Sequence, residues 1–324
     1  MQVQELFDKR IAFITGKGGV GKTTVACALA FAAADLGLRT CLVEVHPSSN
    51  LRYILGREIP VYREVHVNEN LSVLTLEPYK ALAEYVGIHF KVPGAARFVL
   101  NNRAVQYFMQ AAPGWRELIT VGKIWDMQET SSGRKKPYYD MLVVDAPATG
   151  HGLSFLRVPS VFTNIIKFGR MQDQNLDVQA MLTDPGTVVH VVTLPEEMPV
   201  NEAVHLKQTA RRDLGMHPGV TFVNGVYPPL CEAPRDREAC QRLFGDKKAR
   251  AVLDSCFPDG GKALWRAAED RRLRAELSAH YERRVRERIG GPVVSIPYMY
   301  PGRVDAEGVR EMAGLLKRAA GRRP

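Results

Sequence analysis

Cysteine is scarce and irregularly spaced in this sequence. The chain of 324 residues has an odd number of cysteines, namely Cys27, Cys41, Cys231, Cys240 and Cys256. No two of them form a C-x-x-C pair. This pattern indicates neither a disulfide framework nor a zinc clip, so we expect reduced thiols.

Long apolar runs are also absent. The N-terminus, MQVQELFDKR, carries charges where a secretory signal needs an apolar stretch. The longest apolar run, VACALAFAAA from Val25, is about half the length of a bilayer span. We therefore expect a cytoplasmic location. The 45% hydrophobic content is ordinary for a globular chain with a sizeable core, and no internal repeat is visible, so we predict one domain over residues 1–324.

Much of the excess basic charge is concentrated in one segment. The net charge is +9, and the segment WRAAEDRRLRAELSAHYERRVRERI is rich in arginine. Within it apolar residues recur every four positions, at Leu273, Leu277, Tyr281, Val285 and Ile289. This spacing predicts an amphipathic helix with its arginines on the solvent face. A solvated surface is one interpretation, and a surface for nucleic acid or acidic lipid is the other.

The segment ITGKGGVGKTT, residues 14 to 24, connects a short apolar strand at 10–15 to a predicted helix from Thr23. That context is what a G-x-x-x-x-G-K-[ST] phosphate-binding loop requires. Backbone N–H groups would bind the phosphates, Lys22 would reach the β- and γ-phosphate oxygens, and the Thr23 hydroxyl would bind Mg²⁺. We therefore predict ATP and Mg²⁺ as cofactors, bound by Gly16, Gly18, Gly19, Val20, Gly21, Lys22, Thr23 and Thr24.

Two further strands end in polar residues. The sequence LVEVH places Glu44 and His46 on one face of its strand, and MLVVD ends at Asp145. These side chains emerge at the carboxyl ends of strands, where α/β sheets bind ligands. An acid beside a phosphate loop holds a Mg²⁺-bound water, so Asp145 joins Thr23 as a predicted metal residue. A simple strand-end turn at Asp145 is the alternative.

Apolar strands alternate with helical stretches along the rest of the chain, at 187–194, 219–226 and 291–299. This alternation predicts an α/β fold, a doubly wound and mostly parallel sheet with helices on both faces. Asn224 ends one of these strands. Its amide would pair with the adenine edge through a donor and an acceptor, or it would only make a turn.

A second lysine, Lys17, stands in the phosphate loop. Lys22 is already engaged by its own nucleotide, so Lys17 would reach the phosphates of a neighbouring molecule or remain solvated. A cation supplied in trans contributes roughly 10³ to 10⁵ in rate. The loop KGGVGKTT resembles the deviant Walker A loop of the signal-recognition/MinD group of ATPases, which work as nucleotide-sandwich dimers. The resemblance implies that Lys17 is catalytic and that the protein forms a homodimer or a heterodimer with a paralogous ATPase.

Longer segments resemble the ArsA family, which contains the arsenite-pump ATPases and the guided-entry ATPases of tail-anchored protein targeting. DAPATGHGLSFLRVP, residues 145–159, is similar to that family's switch II, and VNGVYPP, residues 223–229, to its adenine-binding segment with Asn224. IPYMYPG resembles the loop that closes over the base, which adds Pro297 to the predicted site. APGWRELITVGKIW and TLPEEMPVNEA look more like the paired bacterial members called BagA and BagB. The resemblance, over nearly the full length, implies a slow ATPase coupled to a membrane-protein client or a membrane partner.

Three features depart from that family. HPSSNLR stands where its switch I has DPAHNLS, so His46 occupies the position of the water-activating aspartate. A neutral imidazole would take over that catalytic role if Glu44 held its other nitrogen, and turnover would then fall on acidification. The zinc C-x-x-C of guided-entry dimers is absent. The chain has one half where arsenite-pump ATPases have two, and Cys231, Cys240 and Cys256 match their metalloid triad poorly.

Segments 80–135 and 161–182 are predicted to form a helical subdomain that binds an apolar client, although such stripes also occur in ordinary cores. The apolar side chains that suggest it are Phe98, Phe108, Met109, Ile165, Ile166 and Met171. Other functions stay open: a low-turnover regulatory subunit of a heterodimer, an arsenite-efflux ATPase and a chromosome-partitioning ATPase. The switch II sequence disfavours the last, so nucleic acid is an unlikely partner.

Overall fold

The computed structural model describes residues 1–46, 49–90, 94, 97–98, 101–104, 107, 111, 114–129, 138–148, 153–163, 170–231, 233–258, 260–299 and 305–322. Its strands are β1 Ile11–Thr15, β2 Thr40–Glu44, β3 Val65–His66, β4 Leu71–Thr75, β5 Met141–Asp145, β6 Thr187–Thr193, β7 His217–Val226 and β8 Val293–Pro297. They form one sheet in the order β3-β4-β2-β5-β1-β6-β7-β8. Only β3, among these strands, runs antiparallel to its neighbour. The predicted mostly parallel α/β fold is confirmed.

Helices flank the sheet on both sides. They are α1 Lys22–Asp35, α2 Ser49–Leu55, α3 Pro78–Phe90, α4 Trp115–Gln128, α5 Ser154–Thr163, α6 Arg170–Thr183, α7 Glu197–Arg212, α8 Pro234–Gly245, α9 Lys247–Cys256, α10 Gly261–Ile289 and α11 Ala306–Ala319. In the described part of the chain, no helix combines the length and apolarity needed to cross a bilayer.

One face of the sheet is covered by α1 and α11. Every residue of α1 from Val25 to Ala34 is buried, and the small alanine side chains allow α11 to pack against it closely. Lys317 Nζ on α11 donates a hydrogen bond to Asp35 Oδ2 at 2.8 Å, where α1 ends. The central strand and the loop that follows it therefore rest on a tightly packed layer.

The opposite face is covered by α4, α5, α6 and α7, whose apolar side chains share a second core with β1 and β5. Helices α3, α4, α5 and α6 also pack against one another. Helices α3, α4 and α6 coincide with the predicted segments 80–135 and 161–182 to within two residues, whereas most of α5 precedes residue 161, and the helical subdomain stays a prediction. Phe98 is exposed. The side chains of Phe108, Met109, Ile165, Ile166 and Met171 lie outside the described residues, so the client groove stays a prediction.

Helix α5 contains a proline that is held by the next helix. The carbonyl oxygen of Pro159 accepts hydrogen bonds from Asn175 Nδ2 at 3.0 Å and from Gln179 Nε2 at 2.9 Å, both on α6. A proline inside a helix removes one backbone donor and disturbs the preceding turn. Two side-chain amides of α6 thus hold the middle of α5.

The predicted amphipathic helix exists as α10, but its apolar stripe was wrong. Leu273 and Leu277 are half-exposed, whereas Val285 is buried. A four-residue repeat advances 400° per step and therefore drifts around a helix of 3.6 residues per turn. The stripe starts on the solvent face and reaches the protein only near the C-terminal end of α10. Trp265 and Ala275 complete the buried face nearer its start.

The expectation of five reduced thiols was wrong for two of them. The structure joins Cys231 to Cys240 in a disulfide, while Cys27 and Cys41 are buried and Cys256 is exposed as free thiols. The chain turns into α8 between Cys231 and Cys240, which brings the two sulfur atoms together. In the described residues, no group of three or more His, Cys, Asp or Glu side chains is arranged to hold a metal ion.

Candidate nucleotide-binding site

The glycine loop between β1 and α1 has little room for a side chain at two of its glycines, Gly16 and Gly21. A Cβ atom on Gly16 would overlap the carbonyl oxygen of Val192 on β6, and one on Gly21 would overlap the side-chain amide of Asn224. Both glycines also have positive φ angles, 152° and 90°, which favour glycine. Helix α1 begins immediately after Gly21, so its N-terminal amides face the loop.

Lys22 is folded back into the loop. Its Nζ donates a hydrogen bond to the carbonyl oxygen of Lys17 at 3.1 Å. Burial lowers the pKa of Lys22, and the carboxylates of Asp145 and Glu202 oppose that shift. Glu202 lies on α7, and no local signal in the sequence indicates its position near this lysine. Gly18 and Gly19 are exposed at the tip of the loop.

Thr23 and Asp145 are in direct contact. Thr23 Oγ1 donates a hydrogen bond to Asp145 Oδ2 at 2.6 Å. Asp145 Oδ1 is buried and has no hydrogen-bond partner among the described residues. A hydroxyl next to a carboxylate oxygen with free lone pairs suits Mg²⁺, which binds few protein oxygens and keeps several waters. The residues present therefore fit the metal predicted for Thr23 and Asp145.

Asp145 is expensive to ionise in the nucleotide-free protein. Its pKa is raised to about 6, mainly by burial. The Thr23 hydrogen bond and the Lys22 ammonium oppose this rise, and the Glu44 carboxylate adds to it. Glu44 lies directly opposite Asp145 in the ladder between β2 and β5. Two neighbouring buried carboxylates create a negative potential that favours a cation.

Glu44 is the last residue of β2 and His46 follows two residues later, and the two side chains have different surroundings. Glu44 is buried and its Oε2 accepts a hydrogen bond from Thr75 Oγ1 at 2.8 Å. His46 lies beyond the end of β2, is exposed, and has its Nδ1 3.0 Å from the carbonyl oxygen of Val45. Hydrogen bonding thus connects Glu44 to β4. The role of His46 as the water-activating residue stays a prediction.

The carboxyl ends of β7 and β8 form the predicted base end of the site. Asn224 Nδ2 donates a hydrogen bond to the carbonyl oxygen of Val20 at 2.9 Å, which ties β7 to the phosphate loop. Pro297 ends β8 opposite Val226. The rings of Tyr227 and Tyr298 stack there at 4.3 Å. No local signal in the sequence indicates that these tyrosines stack, because stacking depends on two strands ending side by side.

The arrangement defines a class of protein. A glycine loop leads from the central parallel strand into a buried helix, and the carboxylate on the adjacent strand contacts the threonine after the loop lysine. These features are those of a P-loop nucleoside triphosphatase. The half-buried Thr24 completes the first turn of the helix.

Comparisons with known proteins narrow this class. The family model described as an anion-transporting ATPase, ArsA_ATPase, matches residues 9–176. The ATPase BagA of Mycobacterium tuberculosis is 31% identical over 233 residues, which are 70% of this chain and 68% of BagA. The chain belongs to the ArsA family of ATPases. Nucleotide binding and ATPase activity follow from that membership.

Other members of the family share shorter parts of their length. The ATPase GET3 of Kluyveromyces lactis is 29% identical over 170 residues, which are 50% of this chain and 49% of GET3. A putative arsenical pump-driving ATPase of Halobacterium salinarum is 27% identical over 269 residues, which are 76% of this chain and 38% of that protein. The family resemblance seen in the motifs is therefore confirmed.

Proposed function

We propose that this ATPase works as a Mg²⁺-dependent dimer in which Lys17 of each subunit reaches the phosphates bound by the other. The observation that carries the proposal is the division of labour between the two loop lysines. Lys22 Nζ is turned into the loop, against the Lys17 carbonyl, whereas Lys17 stands beside the exposed Gly18 and Gly19. A cation beside the exposed tip of the loop would be available to a second molecule, which supports the proposal.

The chain's own residues divide the remaining tasks. Lys22 binds the phosphate oxygens; burial lowers its pKa, and the nearby Asp145 carboxylate opposes that shift. Thr23 and Asp145 would hold Mg²⁺, which neutralises phosphate charge when it is bound. Asn224 and Pro297 are proposed to border the adenine, at the end of the sheet where β7 meets the loop. Gly16 and Gly21 allow the backbone to approach the phosphates.

The test is to change Lys17 to Ala and measure ATP turnover, ATP affinity and molecular mass in solution with ATP. We expect turnover to fall roughly 10³- to 10⁵-fold, as for a cation supplied in trans. ATP affinity should change little, and the ATP-induced increase in mass should be lost. Lys262→Ala, which removes an exposed lysine on α10, is the matched control and should behave like the parent.

Two results would contradict the dimer. One is a parent protein whose mass does not change with ATP and Mg²⁺ although it hydrolyses ATP. The other is a Lys17→Ala protein that turns over at the parental rate. Lys22→Ala distinguishes the roles of the two lysines, because this variant should already lose affinity for Mg²⁺-ATP, whereas Lys17→Ala should keep it.

We further propose that the dimer couples its nucleotide state to an apolar client or a membrane partner through α3, α4, α5 and α6. Exposed apolar side chains in this region support the proposal, with Phe98 62%, Tyr107 67% and Val161 49% exposed. Because α5 follows β5 and Asp145 closely, it is placed to respond to the nucleotide. A hydrophobic single-helix peptide should co-elute with the ATP-bound parent and not with Lys17→Ala.

A regulatory subunit with little turnover is a second candidate, and His46 favours it. The exposed imidazole stands where the family motif has a water-activating aspartate. Changing His46 to Asp should raise turnover if the site is otherwise complete. No turnover in the parent, with activity only after a paralogous ATPase is added, would favour the regulatory subunit. Arsenite-stimulated turnover would instead favour an arsenite-efflux ATPase.

A further inference from the structure

Exposed apolar side chains are concentrated in the helices that follow β7. Among the described residues, fifteen large apolar side chains are exposed, and six of them lie in residues 234–289, which are about a sixth of the chain. These six are Leu243, Val252, Phe257, Leu264, Leu273 and Leu277. Single exposed apolar side chains are normal, but a group of them marks a surface that contacts something apolar.

Helix α9 shows this lack of cover most clearly. All of its residues, Lys247–Cys256, are described, and none of them is buried. It packs against α8 and against the start of α10, where Gly261 lies close to its backbone. The other end of α10 packs beside the sheet, because Val285 is buried there with Val223 of β7. One side of α9 is thus left to solvent.

The turn between α9 and α10 brings several of the apolar side chains together. Phe257 and Leu264 line one surface depression with the end of α9, and they are 54% and 53% exposed. Val252, which is 60% exposed, precedes Cys256 by one helical turn and lies on the same face of α9. We call residues 247–266, which contain this surface, the α9–α10 corner.

The α9–α10 corner also carries an excess of positive charge. Its sequence has five basic and two acidic residues. All five basic side chains are exposed, and none of them forms an ion pair within the described part of the chain. They are Lys247, Lys248, Arg250, Lys262 and Arg266. Asp254, one of the two acids, has its Oδ1 buried. The cations are therefore available to an anionic partner.

Arginines farther along α10 differ, because several are paired with acids of the same helix. Arg272 contacts Glu276 at 2.6 Å, and Arg274 contacts Asp270 at 2.8 Å. The unpaired cations of the α9–α10 corner thus stand next to its exposed apolar side chains, which is the combination found on helices that bind a membrane interface.

We propose that the α9–α10 corner binds the surface of a bilayer that contains anionic lipids. Val252, Phe257 and Leu264 enter the boundary between headgroups and acyl chains, and the five cations lie at the level of the anionic headgroups. Apolar burial and electrostatic attraction then add to each other. A second copy of this chain would bring the same positive charge to the contact, and nucleic acid would leave the apolar side chains without a partner. The proposal rests neither on the dimer nor on the client region at α3–α6.

Flotation of the nucleotide-free full chain with vesicles tests the proposal. One set of vesicles is phosphatidylcholine alone, and in the other a third of it is replaced by phosphatidylglycerol. We expect binding to the anionic vesicles only, and weaker binding as salt screens the charges. Lys17→Ala should bind as the parent does, because the phosphate loop takes no part.

A double variant removes the apolar contribution. Phe257→Ser with Leu264→Ser should lower the partition coefficient for anionic vesicles roughly a hundredfold, about tenfold for each half-exposed side chain. The matched control is Tyr53→Ser with Val61→Ser, which removes two exposed apolar side chains elsewhere on the surface and should change nothing.

A second double variant removes charge. Lys247→Gln with Lys248→Gln should lower the same coefficient roughly thirtyfold, about fivefold for each charge near an anionic surface. Arg211→Gln with Arg212→Gln removes two exposed charges on α7 and is its matched control. All these positions are exposed, so the variants should keep the parental circular dichroism spectrum and unfolding temperature.

Absence of binding to anionic vesicles, or equal binding to neutral ones, would overturn the proposal. So would parental binding by either double variant of the α9–α10 corner. An equal loss in Arg211→Gln with Arg212→Gln would assign the effect to net charge and would also overturn it. Binding of double-stranded DNA without binding of vesicles would replace the bilayer by nucleic acid as the partner.

Discussion

The two faces of the sheet differ in how completely they are filled. On the first face α1 is buried along Val25–Ala34 and tied to α11. On the second face, α3, α4 and α6 leave a cavity of about 120 Å³ with a charged wall. The phosphate loop is thus continuous with the closed face, whereas the helices after β4 and β5 lie on the face with free volume. A close-packed layer holds the loop geometry, and the other layer has space in which to rearrange.

The largest effect is expected from a histidine on the closed face. His190 stands between Val188 and Val192 on the same face of β6, and both valines lie in the core on that side of the sheet. Burial lowers the pKa of His190 to about 3, and its ring Nδ1 accepts a hydrogen bond from the Val220 N–H at 2.9 Å, which only an unprotonated nitrogen can do. Neutral His190 is therefore favoured in the folded state. Its stabilisation is complete above pH 6.5 and is lost as the pH falls toward 3, by roughly 4 kcal/mol in total.

Urea unfolding at pH 4.5 and 7.5 measures the part of this loss that falls between those two pH values, about 3 kcal/mol. In His190→Gln an amide oxygen can still accept from Val220, so the protein should fold but show a much smaller loss on acidification. His205→Gln, at an exposed position on α7, should keep the parental loss. An unchanged acid response in His190→Gln would mean that the closed face does not exclude charge as described.

Matched truncations compare the packing of the two faces. Leu29 on α1 is fully buried, and Leu29→Ala should lower the free energy of unfolding by about 3 kcal/mol. Ile119 borders the cavity and is only half-buried, so Ile119→Ala should cost about 1 kcal/mol. Denaturant unfolding of the nucleotide-free protein gives both values. Equal costs would show that the second face is packed as tightly as the first.

A further effect, of opposite sign, concerns the carboxylate where the two faces meet. The pKa of Asp145 is raised to about 6, so its ionisation destabilises the nucleotide-free fold as the pH rises from about 4 to 6. At pH 7 this cost is fully present. Asp145→Asn should therefore stabilise the nucleotide-free protein at pH 7 by about 2 kcal/mol, while ATP turnover falls.

Thermal unfolding with and without Mg²⁺-ATP separates the two effects of Asp145→Asn. Without nucleotide, the unfolding temperature of the variant should be higher than that of the parent. Adding Mg²⁺-ATP should raise it less than it raises the parent's. The opposite sign, a variant less stable than the parent without nucleotide, would mean that the Thr23–Asp145 hydrogen bond outweighs the cost of burying the charge.

The sequence predicted the elements whose signals are local. The strand at 10–15 and the helix from Thr23 correspond to β1 and α1 within a residue, because apolar strand, glycines and helix follow one another directly. Asp145 was placed correctly beside the loop, since the phosphate loop and the acid both end parallel strands. Strands β3 and β4 were not predicted. β3 has only two residues, too few for a pattern in the sequence.

Contacts that join distant segments could not be predicted. Glu202 lies near Lys22, and Glu44 lies opposite Asp145, only after the sheet order is fixed. The Cys231–Cys240 disulfide depends on how the chain turns into α8. The predicted apolar stripe on α10 was wrong for a different reason. In a helix of 3.6 residues per turn, side chains spaced by four residues point in steadily changing directions.

The side-chain amides that bind the Pro159 carbonyl connect the helix after the Asp145 strand to the cavity. Asn175 and Gln179 bind the middle of α5, which follows the Asp145 strand, while Asn175 also lines the cavity. If nucleotide binding moves α5, these hydrogen bonds carry the movement to α6 and to the wall of the cavity. Thermodynamic reciprocity then requires the converse: whatever fills the cavity would alter nucleotide affinity by the same factor by which the nucleotide alters its binding.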